Sequence, residues 1–201
     1  MIKVGIIGYG YWGPNIVRNF SSIEGCTVMS ICDCDQGALY RAHQAHQNIP
    51  LTRDWNDILS SPEIDVVAVI TPVSTHFELA KKALENGKHV FVEKPFTATV
   101  AEAEELIMLA EKKKLIIMVD HTFIFTGAVR KIKELVEEKV LGDLYYYDSV
   151  RVNLGLFQRD VNVIWDLAPH DFAVMDYLLD ERPVAVAACG KAHVNGKEDT
   201  A

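Results

Sequence analysis

Along the first 120 residues, short apolar runs alternate with amphipathic segments. The runs Ile2–Ile7, Thr27–Cys32, Val66–Ile70, His89–Val92 and Leu115–Val119 predict five strands. Several are apolar at nearly every position, the pattern of strands buried on both faces of a parallel sheet. The segments between them read as helices with legible ends. Thr75 with Glu78 and Thr99 with Glu102 have capping-box spacing, and Gly87 stands where a left-handed cap closes a helix. The segment Thr99–Lys114 begins acidic and ends in Lys112-Lys113-Lys114, matching its dipole. Such alternation predicts right-handed crossovers and an open, doubly wound α/β sheet over residues 1–120. The pattern then changes. A helix is expected over Thr126–Lys139, a tyrosine-rich strand over Leu144–Val152, a helix around Trp165–Leu179 and a strand over Val184–Ala188. Residues 121–201 therefore read as an incomplete α+β domain.

Composition narrows the function classes. The chain of 201 residues is 49% hydrophobic and 24% charged, enough apolar material for a core. No uninterrupted apolar run approaches the ~20 residues of a membrane span, and a strand pattern begins at Ile2 with no secretory leader ahead of it. A cytoplasmic protein without a membrane partner is expected. The net charge of −8 argues against nucleic acid, whose binding draws its affinity from phosphate neutralisation. Cys26, Cys32, Cys34 and Cys189 lack zinc-site spacing and read as small buried hydrophobes in a reducing compartment. His43 and His46 could share a helix face, but without a third ligand no metal is expected.

The candidate chemistry starts at the first strand, which runs into Gly8-Tyr9-Gly10-Tyr11-Trp12-Gly13 and then into helical residues from Pro14. Gly8 permits a tight turn, Gly10 lets the backbone approach a pyrophosphate, and Gly13 lets helix pack closely on strand. Pro14 fits a first helical turn, and the N–H groups there make an anion site. A lone glycine pattern of this kind is weak. Here a strand precedes it, a helix follows, and Asp33 stands 20 residues past Gly13, where a carboxylate takes the ribose hydroxyls. That carboxylate repels a 2′-phosphate, and Arg41 is the nearest basic residue after it in the helix that follows, so NAD is expected over NADP.

The stretch Val67–Pro72 with His76, then Val92-Glu93-Lys94-Pro95, then Asp166-x-x-x-His170 resemble, in that order, the signatures of the glucose–fructose oxidoreductase, inositol dehydrogenase and rhizopine-catabolism (Gfo/Idh/MocA) family. The resemblance runs from Lys3 to about Val186. It implies a Rossmann domain followed by an α+β substrate and oligomerisation domain with an open sheet. It also implies hydride transfer at a secondary alcohol of a sugar, cyclitol or nucleotide sugar. Carried over residue by residue, Gly8, Gly10, Tyr11, Trp12, Gly13, Asp33, Thr71, Pro72, His76, Glu93 and Lys94 would hold the cofactor. Lys94, Asp166 and His170 would be catalytic, and Lys94, His121, Arg151, Asn153 and His170 would meet substrate. Family members are longer, so the chain reads as truncated, less stable than its intact relatives and prone to associate. In full-length form it is expected to be a homo-oligomer.

The chemistry also stands on the residues. Hydride abstraction from an alcohol needs a base for the hydroxyl proton and a cation for the developing alkoxide. A histidine side chain ordinarily titrates near neutrality, which suits His170 to the first role; Lys94, at a strand's carboxyl end, suits the second. Asp166 and His170 would share a helix face, although Pro169 suggests a helix starting near Ala168 with Asp166 just ahead of it. Taken singly, Lys94 reads equally as a loop lysine, the Asp/His pair as helix surface, and His121 and Arg151 as structural residues; His76 could cap its helix or touch cofactor. A dinucleotide-binding regulatory or sensor module without turnover is the second reading. A methyltransferase ranks last, since it needs neither Glu93-Lys94-Pro95 nor the Asp/His pair.

Overall fold

The computed structural model describes residues 1–152, 161–194 and 196–201. The chain divides into two compact units, Met1–Asp120 and His121–Ala201.

In the first unit six strands form one parallel sheet: β1 (Ile2–Ile7), β2 (Cys26–Cys32), β3 (Leu51–Thr52), β4 (Val66–Val69), β5 (His89–Val92) and β6 (Ile117–Val119). Their order is β3-β2-β1-β4-β5-β6, the doubly wound arrangement in which strand order reverses between β1 and β4. Five helices supply the crossovers: α1 (Gly13–Ser22), α2 (Gln36–Ala45), α3 (Asn56–Leu59), α4 (His76–Glu85) and α5 (Val100–Lys113). The two-sided burial expected of apolar strands is present. Val4, Ile6, Val28, Ile31 and Ala68 join Ile16, Val17, Ala38 and Ala42 of α1 and α2 in one core. Ile7, Val67, Val69, Val90 and Val92 face Ile58, Leu79, Leu84 and Leu106 of α3, α4 and α5 in the other. Each fully buried Val, Ile or Leu side chain contributes ~1.5–3 kcal/mol to keeping the sheet covered.

Two helix-end expectations divide. Thr99 accepts from the Glu102 N–H, and Glu102 reaches back to the Thr99 N–H at 3.0 Å, completing the capping box of α5. Thr75 gives α4 no side-chain cap; its hydroxyl instead donates to the Pro72 carbonyl at 2.8 Å and stands 2.7 Å from the Thr71 hydroxyl, from which it can accept. Gly87 is left-handed, with φ of 75°.

The second unit contains a 3-10 turn (Thr122–Phe125), α6 (Gly127–Glu137) and α7 (Val163–Leu178). Leu144–Val152 and Val184–Ala188, expected as strands, lie outside any strand. A strand needs a neighbour to satisfy its backbone, and the one ladder contact among the described residues of this unit is the bridge Lys191–Thr200. Helix α7 starts well ahead of Ala168, because the Asn162 side chain accepts the Trp165 N–H at 2.9 Å and caps it. Pro169 sits inside the helix, so Asp166 and His170 are both helical and one turn apart. Among the described residues no helix is long and apolar enough to cross a membrane. Cys32 is buried and its thiol is pushed up to about 12, mainly by burial and then by nearby Asp33. Cys26 is half-buried, and Cys34 and Cys189 are exposed, because Cys34 follows the end of β2 and no strand encloses Cys189.

Candidate functional site

A parallel sheet brings all its strand ends to one edge. The carboxyl edge carries Gly8 after β1, Asp33 after β2, Thr71 and Pro72 beyond β4, Glu93 and Lys94 after β5, and Asp120 after β6. Gly8 has φ of 104°, and a Cβ there would sit 2.5 Å from the Ile70 carbonyl oxygen. A Cβ on Gly13 would sit 2.8 Å from the Gly8 carbonyl oxygen. Both glycines are therefore dictated by the chain itself. Gly10 differs: a Cβ there would meet nothing within 4 Å. Nothing in the fold demands glycine at that position, whereas a pyrophosphate laid across the turn would. Helix α1 also begins without a side-chain cap and with Pro14 in its first turn, leaving its positive end to a bound anion.

Asp33 ties this turn to the second strand. Its Oδ2 accepts the Tyr9 N–H at 2.6 Å and its Oδ1 the Asp35 N–H at 2.8 Å. Each oxygen retains a second lone pair for a hydroxyl ligand. Tyr9 is buried beneath the turn, whereas Tyr11 and Trp12 are exposed and meet edge to face at 5.4 Å. The fold also brings Arg53 to this loop, where it donates to the Cys34 carbonyl at 3.1 Å; sequence spacing had pointed to Arg41 alone.

At the other side of the crevice, Glu93 is buried and accepts the Lys94 N–H at 2.7 Å. The register pairs Val92 with Val119, so Glu93 and Asp120 are the next residues on adjacent strands, and their carboxyl groups hydrogen-bond. Burial, and then the Asp120 charge, push Glu93 up to about 7; burial raises Asp120 too. Burial thus disfavours charge on both carboxyls, and as hydrogen-bonded neighbours they titrate as a coupled pair. No spacing rule marks this pair, because it is made by strand adjacency. The Lys94–Pro95 bond is cis.

His76, expected to cap α4 or touch cofactor, is the first residue of that helix rather than its cap. It is 1% exposed, with Nδ1 2.9 Å from the Pro95 carbonyl oxygen and Nε2 2.7 Å from that of Thr71. Lys88 was not singled out by the sequence. Its buried ammonium donates to the Ser61 and Ile64 carbonyls at 2.6 and 2.7 Å, closing the loop before β4.

The second unit gathers the later candidates. His121 and His170 stand edge to face at 6.4 Å, and Phe123 lies 4.7 Å from His170. Burial lowers the pKa of His121, favouring its neutral form; its Nδ1 is buried with no hydrogen-bond partner among the described residues. The Arg151 guanidinium lies 5.0 Å over Phe123, but its forked donors are engaged by Asp171 at 2.7 and 3.1 Å. That ion pair, joined by Ser149 at 2.7 Å, holds Asp171 below the usual carboxylate range. Arg151 is thus committed to Asp171 and ties its segment to α7. Asn153 lies outside the described residues. No group of three or more His, Cys, Asp or Glu able to hold a metal occurs among the described residues.

Residues 2–121 match the model of an oxidoreductase family described by its NAD-binding Rossmann fold, GFO_IDH_MocA. The chain is 30% identical to the uncharacterized oxidoreductase YrbE of Bacillus subtilis, over 96% of this chain and 58% of that protein. It is also 30% identical to a UDP-N-acetylglucosamine 3-dehydrogenase of Acidithiobacillus ferrooxidans, over 100% of this chain and 61% of that one. The crystal structure of apo scyllo-inositol dehydrogenase from Lactobacillus casei superposes with a TM-score of 0.66 and 26% identity, covering 71% of this chain and 43% of that one. The chain spans about half the length of the curated relatives it matches.

Proposed function

Because the chain belongs to the Gfo/Idh/MocA oxidoreductases, with an NAD-binding Rossmann fold, we propose that it transfers a hydride between NAD and a secondary alcohol of a sugar, cyclitol or nucleotide sugar. The observation that carries the cofactor half is Gly10, the one turn glycine whose missing side chain the protein itself does not require. When bound, the nicotinamide supplies the hydride acceptor. In this reading the turn Gly8–Gly13 and the start of α1 take the pyrophosphate, and Asp33 takes the adenosine ribose. Thr71, Pro72 and Glu93 border the nicotinamide half. NAD is preferred to NADP because a carboxylate at Asp33 repels a 2′-phosphate.

For the chemical step, Lys94 steadies the oxygen as its proton leaves, His170 accepts that proton, and Asp166, one turn earlier on α7, orients His170. His121 offers substrate its unpartnered Nδ1. Arg151 and Asn153 complete the substrate contacts. The sugar-like substrate class is supported by the names of relatives acting on UDP-N-acetylglucosamine and on scyllo-inositol. We assign the activity, a cytoplasmic setting and self-association to a protein of the relatives' length. The test follows NADH absorbance against sugars, cyclitols and nucleotide sugars, with Lys94→Ala and His170→Ala compared with the parent. Each substitution should lower kcat about a hundredfold or more; turnover unchanged in both would refute the assignment.

A further inference from the structure

We propose that His76 is a positioning residue of the cofactor site and works as an imidazolium, one buried cation holding the Thr71 and Pro95 carbonyls on either side of its ring. The geometry makes the case. Both ring nitrogens stand at hydrogen-bond distance from backbone carbonyl oxygens, Nε2 at 2.7 Å and Nδ1 at 2.9 Å. A carbonyl oxygen can only accept, and a neutral imidazole carries one N–H. A neutral ring would therefore turn a bare lone pair toward one of these oxygens at close range, whichever tautomer it adopted. With both nitrogens protonated, neither oxygen faces a lone pair, and the two distances fall in the 2.7–2.9 Å range of charge-assisted bonds.

The ring is 1% exposed, so it cannot touch a ligand directly, and its influence passes through the two loops it joins. One is the segment after β4 that carries Thr71 and Pro72. The other follows β5 and carries Glu93 and Lys94 just ahead of Pro95. An apolar side chain could fill the same space without the cost of a buried charge; what the cation adds is a fixed separation between two carbonyls. This inference rests on the reading that the nicotinamide half of the cofactor lies between those loops.

The test uses the full chain labelled with 15N-histidine. In the absence of ligand, both ring nitrogens of His76 should carry directly bonded protons. Affinity is then measured for NADH and for ADP-ribose, which lacks the nicotinamide. His76→Leu should weaken NADH about tenfold or more while changing ADP-ribose less than about twofold, and His76→Gln, retaining one donor, should fall between. Should the leucine variant fail to fold, the ring spectrum and the glutamine variant decide. A ring with one bare nitrogen overturns the cationic clamp, and equal weakening of both ligands overturns the positioning role. If the unaltered chain binds neither ligand, the cofactor reading falls and takes the role of His76 in it along, whatever the ring spectrum shows.

Discussion

Alanine placed at Gly10 and at Gly8 separates what the turn does for the fold from what it does for a ligand. At Gly8 an L-residue would have to adopt φ of 104° and place its Cβ 2.5 Å from a backbone oxygen that cannot rotate away. The strained backbone costs about 1–3 kcal/mol and the overlap about 1–3 kcal/mol more. In a unit of this size each kcal/mol lowers the melting temperature by roughly 4 °C, so Gly8→Ala should melt about 10–20 °C below the parent. Gly10 has neither constraint. Alanine there meets open space and restricts the unfolded chain, a gain of about 0.4–1 kcal/mol where the backbone tolerates it. The melting temperature should therefore hold or rise slightly. The new methyl would occupy the surface on which the pyrophosphate rests, weakening NADH about tenfold or more. Circular dichroism melts give the first quantity and NADH fluorescence titrations the second. If Gly10→Ala melts as early as Gly8→Ala, the geometric argument is wrong. If it binds NADH as the parent does, the turn is not the pyrophosphate site.

Other outcomes follow from the same description. In the fold Glu93 holds its proton up to about pH 7, against 4.5 when unfolded, so the folded state binds more protons between those values. Stability should accordingly fall as pH rises from about 4.5 to about 7, by roughly 3 kcal/mol, and then level off. Glu93→Gln, neutral throughout yet able to donate to Asp120, should flatten that fall in urea unfolding at pH 5 and pH 8; an unchanged slope would exonerate Glu93. Thr99→Ala removes one half of the α5 capping box and should cost about 1 kcal/mol, or roughly 4 °C; an unaltered melt would show the cap to be idle. Asp33→Ser should raise the NADPH-to-NADH affinity ratio about tenfold by removing the charge that opposes a 2′-phosphate. A ratio that stays put would locate cofactor choice elsewhere, Arg53 being the first place to look.

The sheet was legible because its strands are buried on both faces. Apolar runs such as Val66–Val69 and His89–Val92 admit few other readings, and the glycine turn falls between a strand and a helix as the motif requires. The two-residue β3 was missed, since Leu51 and Thr52 followed by Arg53 and Asp54 show neither alternation nor an apolar run; only the edge of a sheet already formed recruits them. The misread ends share a cause. Thr75 had the spacing of a cap, but Thr71 and Pro72 offered its hydroxyl closer partners. Leu144–Val152 has the residues of a strand but gains no strand partner among the described residues. The buried contacts of Lys88 and His76 and the pairing of Glu93 with Asp120 were invisible for a related reason. Each is defined by carbonyls or carboxyls that the fold brings in from other loops or strands, 24 and 27 residues away for Lys88 and 19 away for one contact of His76.

Trp12 stands half exposed on the glycine turn, edge-on to Tyr11, while the other tryptophans, Trp55 and Trp165, belong to other segments. Indole emits light in the band where reduced nicotinamide absorbs, and its emission shifts with the polarity around the ring. A dinucleotide laid along the turn would thus change both the colour and the yield of that fluorescence. The chain carries its own optical gauge of occupancy, mounted on the loop whose occupancy is in question, and Trp12→Phe supplies the blank against which to read it.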